Sequence, residues 1–250
     1  MDEKVTACLK AVIAWIGDNL QAILNNRVPG VIADVDNRLI LAAHSAGSHV
    51  VTEYLNETCG TVKMFILLSP VDGADPMGMK KDFIIKPGTF LPFAAPVMII
   101  GTGLDPVTRT MEPACAPSNL SNSRYTYFDM RFYNAMSGPK WFINATKYGH
   151  IDFYDDYYRK ISTAMCSTCT KDCDFPTYRK FVKEMILSFC DAILNKDALA
   201  LKYIEANSFT VNTIQKFDHM GYDPYTAGGF CKRVNLNTGK EESKTNLSEE

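Results

Sequence analysis

The run Arg38-Leu-Ile-Leu-Ala-Ala-His-Ser-Ala-Gly47 constrains this chain more than any other: an apolar stretch stops abruptly on a serine set between a histidine and small residues. It predicts a buried strand over 38–44 that delivers Ser45 into a sharp turn. Ser48-His-Val-Val-Thr-Glu-Tyr-Leu55 then reads as a helix. A strand-to-helix turn that exposes a nucleophilic serine is strained, and it brings the positions two before and two after the serine close together, so both must be small. Ala43 and Gly47 fill them. The usual first glycine is alanine here, the smallest residue that carries a Cβ. A lone S-x-G says little, but strand, tight turn and helix in that order read as a nucleophile elbow.

Further apolar runs follow at Val62-Lys-Met-Phe-Ile-Leu-Leu68, Val97-Met-Ile-Ile100, which is broken by Gly101-Thr-Gly103, and Trp141-Phe-Ile-Asn-Ala145. Near-continuous apolar strands joined by helical or long connections indicate a parallel sheet buried on both faces, an α/β architecture. Helices are expected at residues 3–24, with Val5, Leu9, Val12, Ile16, Leu20 and Ile23 on the inner face, and at 178–194, opened by Pro176. Phe83–Phe93 is apolar but cut by Pro and Gly, so it cannot be a regular central strand. The long aromatic connection 106–138, with Tyr125, Tyr127, Phe128, Phe132 and Tyr133, would either wall an apolar pocket or form a satellite core. A length of 250 residues with 46% hydrophobic content predicts one domain over 1–231, followed by a polar, disordered tail over 232–250.

The net charge of -2 resides in residues 240–250, so the rest is balanced and nothing favours nucleic acid. No uninterrupted apolar run reaches the roughly 20 residues that cross a bilayer, so no stable membrane span is expected. Eight cysteines are many for a reducing compartment and suggest disulfides in a secreted or lumenal setting, although the opening Met-Asp-Glu-Lys is no signal peptide. Cys166, Cys169 and Cys173 lack a fourth ligand at zinc spacing, so no metal is expected. N-x-S/T triplets stand at Asn56, Asn119, Asn144 and Asn246.

A serine hydroxyl needs a base, and the base needs an acid to set its tautomer. Four histidines are present. His44 lies inside the elbow, His49 in the following helix and His219 far downstream, whereas His150 follows the last apolar strand in a glycine-containing loop, where the base belongs. The acid is open. Asp105, four residues beyond Gly101, has the common placement; Asp72 and Asp75, after the second strand, compete. Asp152, Asp155 and Asp156 lie too near His150 in sequence to face it easily, and would orient the loop or cap a helix.

Ala43-His-Ser-Ala-Gly47, Leu67-Leu-Ser-Pro-Val-Asp-Gly73, Val97–Leu104, Pro113-Ala-Cys-Ala-Pro117 and Tyr148-Gly-His-Ile-Asp-Phe-Tyr-Asp-Asp156 together resemble successive blocks of the chlorophyllase and chlorophyllase-like α/β-hydrolases, from about residue 1 to 195. The resemblance implies an α/β-hydrolase fold and hydrolysis of a small-molecule carboxylic ester of an apolar alcohol, without cofactor, by Ser45 as nucleophile and His150 as base. Two departures matter. The family's aspartate just before Pro-Val, its usual acid, is Ser69 here, while Asp105 stands where plant members carry glycine, which suggests that the acid moved one strand along. The early strands and the loop that supplies one oxyanion N–H in the family are not in this sequence, which leaves the N–H of Ala46 as donor and suggests an N-terminally truncated, partial sheet. The rival reading is an impaired hydrolase-fold protein that binds an apolar ligand.

Overall fold

The computed structural model describes residues 3–58, 62–73, 83–85, 88–106, 128–162, 166–206, 209–219, 232–234 and 241–243. Four parallel strands form the centre: β1 (Ile40–His44), β2 (Met64–Leu68), β3 (Val97–Thr102) and β4 (Lys140–Ala145). A fifth, β5 (Thr213–Asp218), runs antiparallel beside β4, giving the order β1-β2-β3-β4-β5. β2, β3 and β4 are short and mostly apolar because both of their faces are covered, whereas the edge strand β1 leaves Ala42 exposed. Met64, Ile66, Met98, Ile100, Trp141 and Ile143 point to one side, where α6 (Phe175–Leu194) and α7 (Ala198–Ile204) pack through Phe181, Met185, Phe189 and Leu201. The intervening residues Phe65, Leu67, Val97, Ile99 and Phe142 point to the other side, against α3 (Gly47–Thr58) through Val51, Tyr54 and Leu55 and against α4 (Phe128–Ala135) through Phe132 and Tyr133. The strict alternation follows from the two-residue repeat of a strand, and every fully buried Phe or Leu adds about 1.5–3 kcal/mol. This helix-flanked, mostly parallel sheet is the α/β-hydrolase class of fold that the resemblance implied.

The helix expected at 178–194 begins earlier because Asp174 caps it, its carboxylate accepting from Thr177 N at 3.0 Å, with a proline in the first turn. The strand expected from Arg38 begins at Ile40, since Val35–Arg38 closes as a one-turn helix, α2, capped by Asp34. β3 runs through Gly101 to Thr102 rather than breaking at the glycine, because Gly101 and Thr102 pair with Asn144 and Ala145. The 83–93 segment is not a strand in its described part, and its Ile85, Leu91 and Phe93 complete the core beside α3. Phe132 and Tyr133 are likewise buried in the core; Tyr125 and Tyr127 lie outside the described residues.

The inner face expected of the first helix is revised. The first helix, α1, spans Glu3–Arg27 and turns Thr6, Leu9 and Ile13 inward, while Val5, Val12 and Ile23 are exposed; polar anchors fix this rotation, Thr6 bonding Glu53 and Lys10 pairing with Glu57 of α3. The same helix is long and apolar enough to cross a membrane, because isolated charges such as Lys10 and Asp18 interrupt a continuous run without making the whole segment polar. Asn144 lies in β4 at 8% exposure, so its triplet is closed to glycosylation in the folded chain, whereas Asn56 is exposed. Within the stretch expected to be a disordered tail, β6 (Lys232–Val234) and β7 (Glu241–Ser243) pair antiparallel.

Candidate active site

β1 ends on His44, and Ser45 follows with φ of +55°, a left-handed conformation that costs a non-glycine residue about 1 kcal/mol or more. The strain is held by backbone bonds on both sides: Ser45 N donates to Leu68 O at 3.0 Å, and Val71 N donates to Ser45 O at 3.1 Å. The predicted closeness of the flanking small residues is met. A Cβ on Gly47 would sit 3.7 Å from the Cβ of Ala43, so alanine at 43 is accommodated, but two larger residues would collide. Ser45 is partly exposed, and its Oγ carries no hydrogen bond among the described residues. The N–H of Ala46, at the entry to α3, is spent on no carbonyl of the described residues.

The histidine loop is joined to the end of β3 rung by rung. Gly103 N donates to Ala145 O at 3.0 Å and Leu104 N to Tyr148 O at 3.0 Å, and then the carboxylate Oδ1 of Asp105 meets His150 Nδ1 at 3.2 Å. Gly103 permits this approach, since a Cβ there would lie 2.3 Å from Thr146 O. Both His150 and Asp105 are buried. A carboxylate only accepts, so His150 Nδ1 carries the proton and its Nε2 keeps a free lone pair. Asp105 Oδ2 is buried without a partner among the described residues.

Asp72 is committed elsewhere. Its Oδ1 lies 3.0 Å from His49 Nδ1 and accepts from Ile84 N at 3.1 Å, its Oδ2 accepts from Ile85 N at 2.9 Å, and Arg131 stands 3.7 Å away. It thus binds the loop after β2 to α3 and to the 84–85 segment, while Asp105 holds His150; Asp75 lies outside the described residues. Ser69, at the position where an acid was expected by resemblance, has φ of +41° and shares a 3.1 Å hydrogen bond with Thr102 Oγ1 on β3. Asp105 N in turn donates to Thr102 O at 3.2 Å.

The neighbouring aspartates position the loop. Asp152 is fully buried and its Oδ2 accepts from Gly149 N at 2.7 Å and Cys169 N at 2.8 Å, while burial raises its carboxyl above the usual range. Asp155 caps α5 (Asp156–Ser162) through Tyr157 N and Tyr158 N, and Asp156 pairs with Arg179 of α6. Cys169 is joined to Cys173 in a disulfide, and Cys166 is also disulfide-bonded; Cys8 and Cys190 are free thiols.

Sequence reasoning set His44 aside as part of the elbow, yet its ring contacts His150 directly, with centroids 4.6 Å apart. Its Nε2 lies 3.0 Å from the carbonyl oxygen of His150, and its Nδ1 lies 3.0 Å from the hydroxyl of Tyr154. Burial first, and the charge of a protonated His150 second, lower its pKa from 6.5 to about 4. The signal available in the sequence was only the aromatic run Phe153-Tyr154 after His150.

A family model described as Chlorophyllase matches residues 2–220. Chlorophyllase-2 of Arabidopsis thaliana is 26% identical over 194 residues, covering 74% of this chain and 58% of that protein. Chlorophyllase-1 of the same plant is 29% identical over 154 residues, covering 58% of this chain and 44% of that protein. The chain thus spans about half the length of the curated relatives it matches. Among solved structures, a ferulic acid esterase from Streptomyces cinnamoneus superimposes with a TM-score of 0.39 at 16% identity, covering 72% of this chain and 48% of that one.

Proposed function

The chain belongs to the chlorophyllase family, and from that premise we propose that it is a serine carboxylic-ester hydrolase acting on small-molecule esters of apolar alcohols. The observation that carries the reading is the His150–Asp105 pair, 3.2 Å apart, whose tautomer leaves Nε2 with a lone pair on a ring packed against His44, the residue before the strained Ser45. In this reading His150 Nε2 takes the Ser45 Oγ proton as Oγ attacks the ester carbonyl carbon. The carbonyl oxygen becomes an oxyanion facing the N–H of Ala46 at the start of α3, where the helix dipole also favours negative charge. Asp105 balances the imidazolium. The imidazolium then gives its proton to the leaving alcohol oxygen as the acyl–oxygen bond breaks, and water, deprotonated by His150, releases the acid from Ser45. The departure at Ser69 is accommodated by the acid sitting on the neighbouring strand end, where Thr102 links the two positions. The disulfides suit an oxidising, secreted or lumenal compartment.

A fluorophosphonate probe tests the proposal. The folded parent chain should be labelled on Ser45 and should hydrolyse p-nitrophenyl butyrate, and Ser45→Ala should abolish both. A folded parent that is neither labelled nor active overturns the reading in favour of an apolar-ligand binder.

A further inference from the structure

The loop 149–154 that carries His150 is tied down from several directions, and the ties are not equivalent. Asp105 reaches it from the end of β3, and Leu104 N holds Tyr148 just before it. Asp152 fastens it to Cys169, and Arg179 of α6 donates to Tyr154 O at 2.9 Å. All of these fix the loop relative to elements distant from the serine. His44 alone among these ties reaches it from β1, and it is one peptide bond from Ser45.

We infer that His44 is a positioning residue that sets the separation of nucleophile and base, by clamping both ends of the His150 loop to the strand that carries Ser45. The chemistry of the two contacts fixes its state. The His150 carbonyl can only accept, so His44 Nε2 must carry the proton and donate across 3.0 Å. Nδ1 is then a lone pair, and the Tyr154 hydroxyl donates to it across 3.0 Å. Both nitrogens are spent, which is why His44 cannot act as the base, although it lies next to the serine. The ring is held in place by the edge of Phe153, at 4.8 Å between centroids, and by His150 itself. The titratable and charged groups around it are therefore His150 and Asp105, with Tyr154 on the far side; burial and the charge of His150 keep it neutral down to about pH 4.

The role rests on the ester-hydrolase reading, and the experiment separates the two. With p-nitrophenyl butyrate, His44→Leu should lower kcat roughly 10²-fold, the cost of about 1 Å of misplacement, and leave KM within about twofold. His44→Gln, whose Nε2–H can meet the same carbonyl, should recover most of kcat. Tyr154→Phe, which removes a single hydroxyl, should fall between them and serves where His44→Leu does not fold. A folded His44→Leu with parental kcat, or a His44→Gln as poor as His44→Leu, overturns the inference. If the parent itself has no Ser45-dependent activity, the ester-hydrolase reading fails and the clamp is read by ¹⁵N-resolved imidazole spectra: His44 should be the Nε2–H tautomer, and the His150 ring signals should shift in His44→Leu and return in His44→Gln. An Nδ1–H tautomer, or His150 signals indifferent to position 44, overturns the clamp.

Discussion

Replacing Gly149 with alanine should uncouple the base from the nucleophile while leaving the fold standing. A Cβ at 149 would lie 2.0 Å from Ser167 O, 3.0 Å from Ser167 C and 3.1 Å from Thr168 Cα. All three are backbone atoms of a segment held by disulfides at Cys166 and Cys169, so no flexible side chain can swing aside. Ordinary contact begins near 3.4 Å, so about 1.4 Å of displacement must be taken up by one of the two backbones. The His150 side yields, because its side-chain hold on this segment is the bond from Cys169 N to Asp152 Oδ2 at 2.8 Å, and among the described residues Gly149 itself is bound only to Asp152 of the same loop. A shift of that size in the residue next to the base lowers kcat by roughly 10²-fold or more, and overpacking of this kind costs about 1–3 kcal/mol of stability. The assay pairs kcat for p-nitrophenyl butyrate with a thermal melt of the same protein. A folded Gly149→Ala chain with parental kcat would refute the claim that contact with 167–168 places His150. A loss of activity matched by unfolding at the assay temperature would refute the claim that the displacement stays local.

Asp105→Asn should cut kcat by roughly 10⁴-fold with the melting point nearly unchanged, since the imidazolium loses its counter-charge and the tautomer is no longer fixed. Asp72→Asn should do the reverse, keeping kcat within about threefold and losing about 1–3 kcal/mol in denaturant unfolding, because Ile84 N–H, Ile85 N–H and Arg131 lose an ionised acceptor; the two variants exchanged in effect would reverse the assignment. The stability of the parent relative to His44→Gln should fall as pH drops from about 6.5 to about 4. Over that window the unfolded chain protonates His44 and the folded chain does not, and the difference is worth about 3 kcal/mol; urea midpoints of the parent and of His44→Gln, which lacks this slope, check it. Expression in a glycosylating host should modify Asn56 and leave Asn144 bare, as peptide mapping would show.

The sequence alone determined the four parallel strands, and it singled out Ser45 and His150 as candidates. A strand buried on both faces must be apolar at every position, so it is legible as a run, and the residues that end such runs are already placed at the chemically useful edge of the sheet. Ser45 follows β1 directly, and His150 lies on the loop that leaves β4 after Ala145. β5 escaped notice for the complementary reason: its alternate positions face solvent, and Thr213-Ile-Gln-Lys-Phe-Asp218 has no run to detect. The inner face of α1 was set by two polar bonds to α3, which apolar periodicity does not register. Only the tertiary structure decided which aspartate meets His150 and which ring reaches it from β1. Asp105, Asp72 and Asp152 are equivalent as residue types, and the partner of each depends on which loops the ends of β2, β3 and β4 bring within about 3 Å. His44 and Tyr154 meet across 110 positions of sequence because the sheet folds the histidine loop back over the end of β1. Hydrogen bonding is short-ranged and strongly directional, so a contact of this kind belongs to the assembled sheet and has no counterpart in the local pattern of the chain.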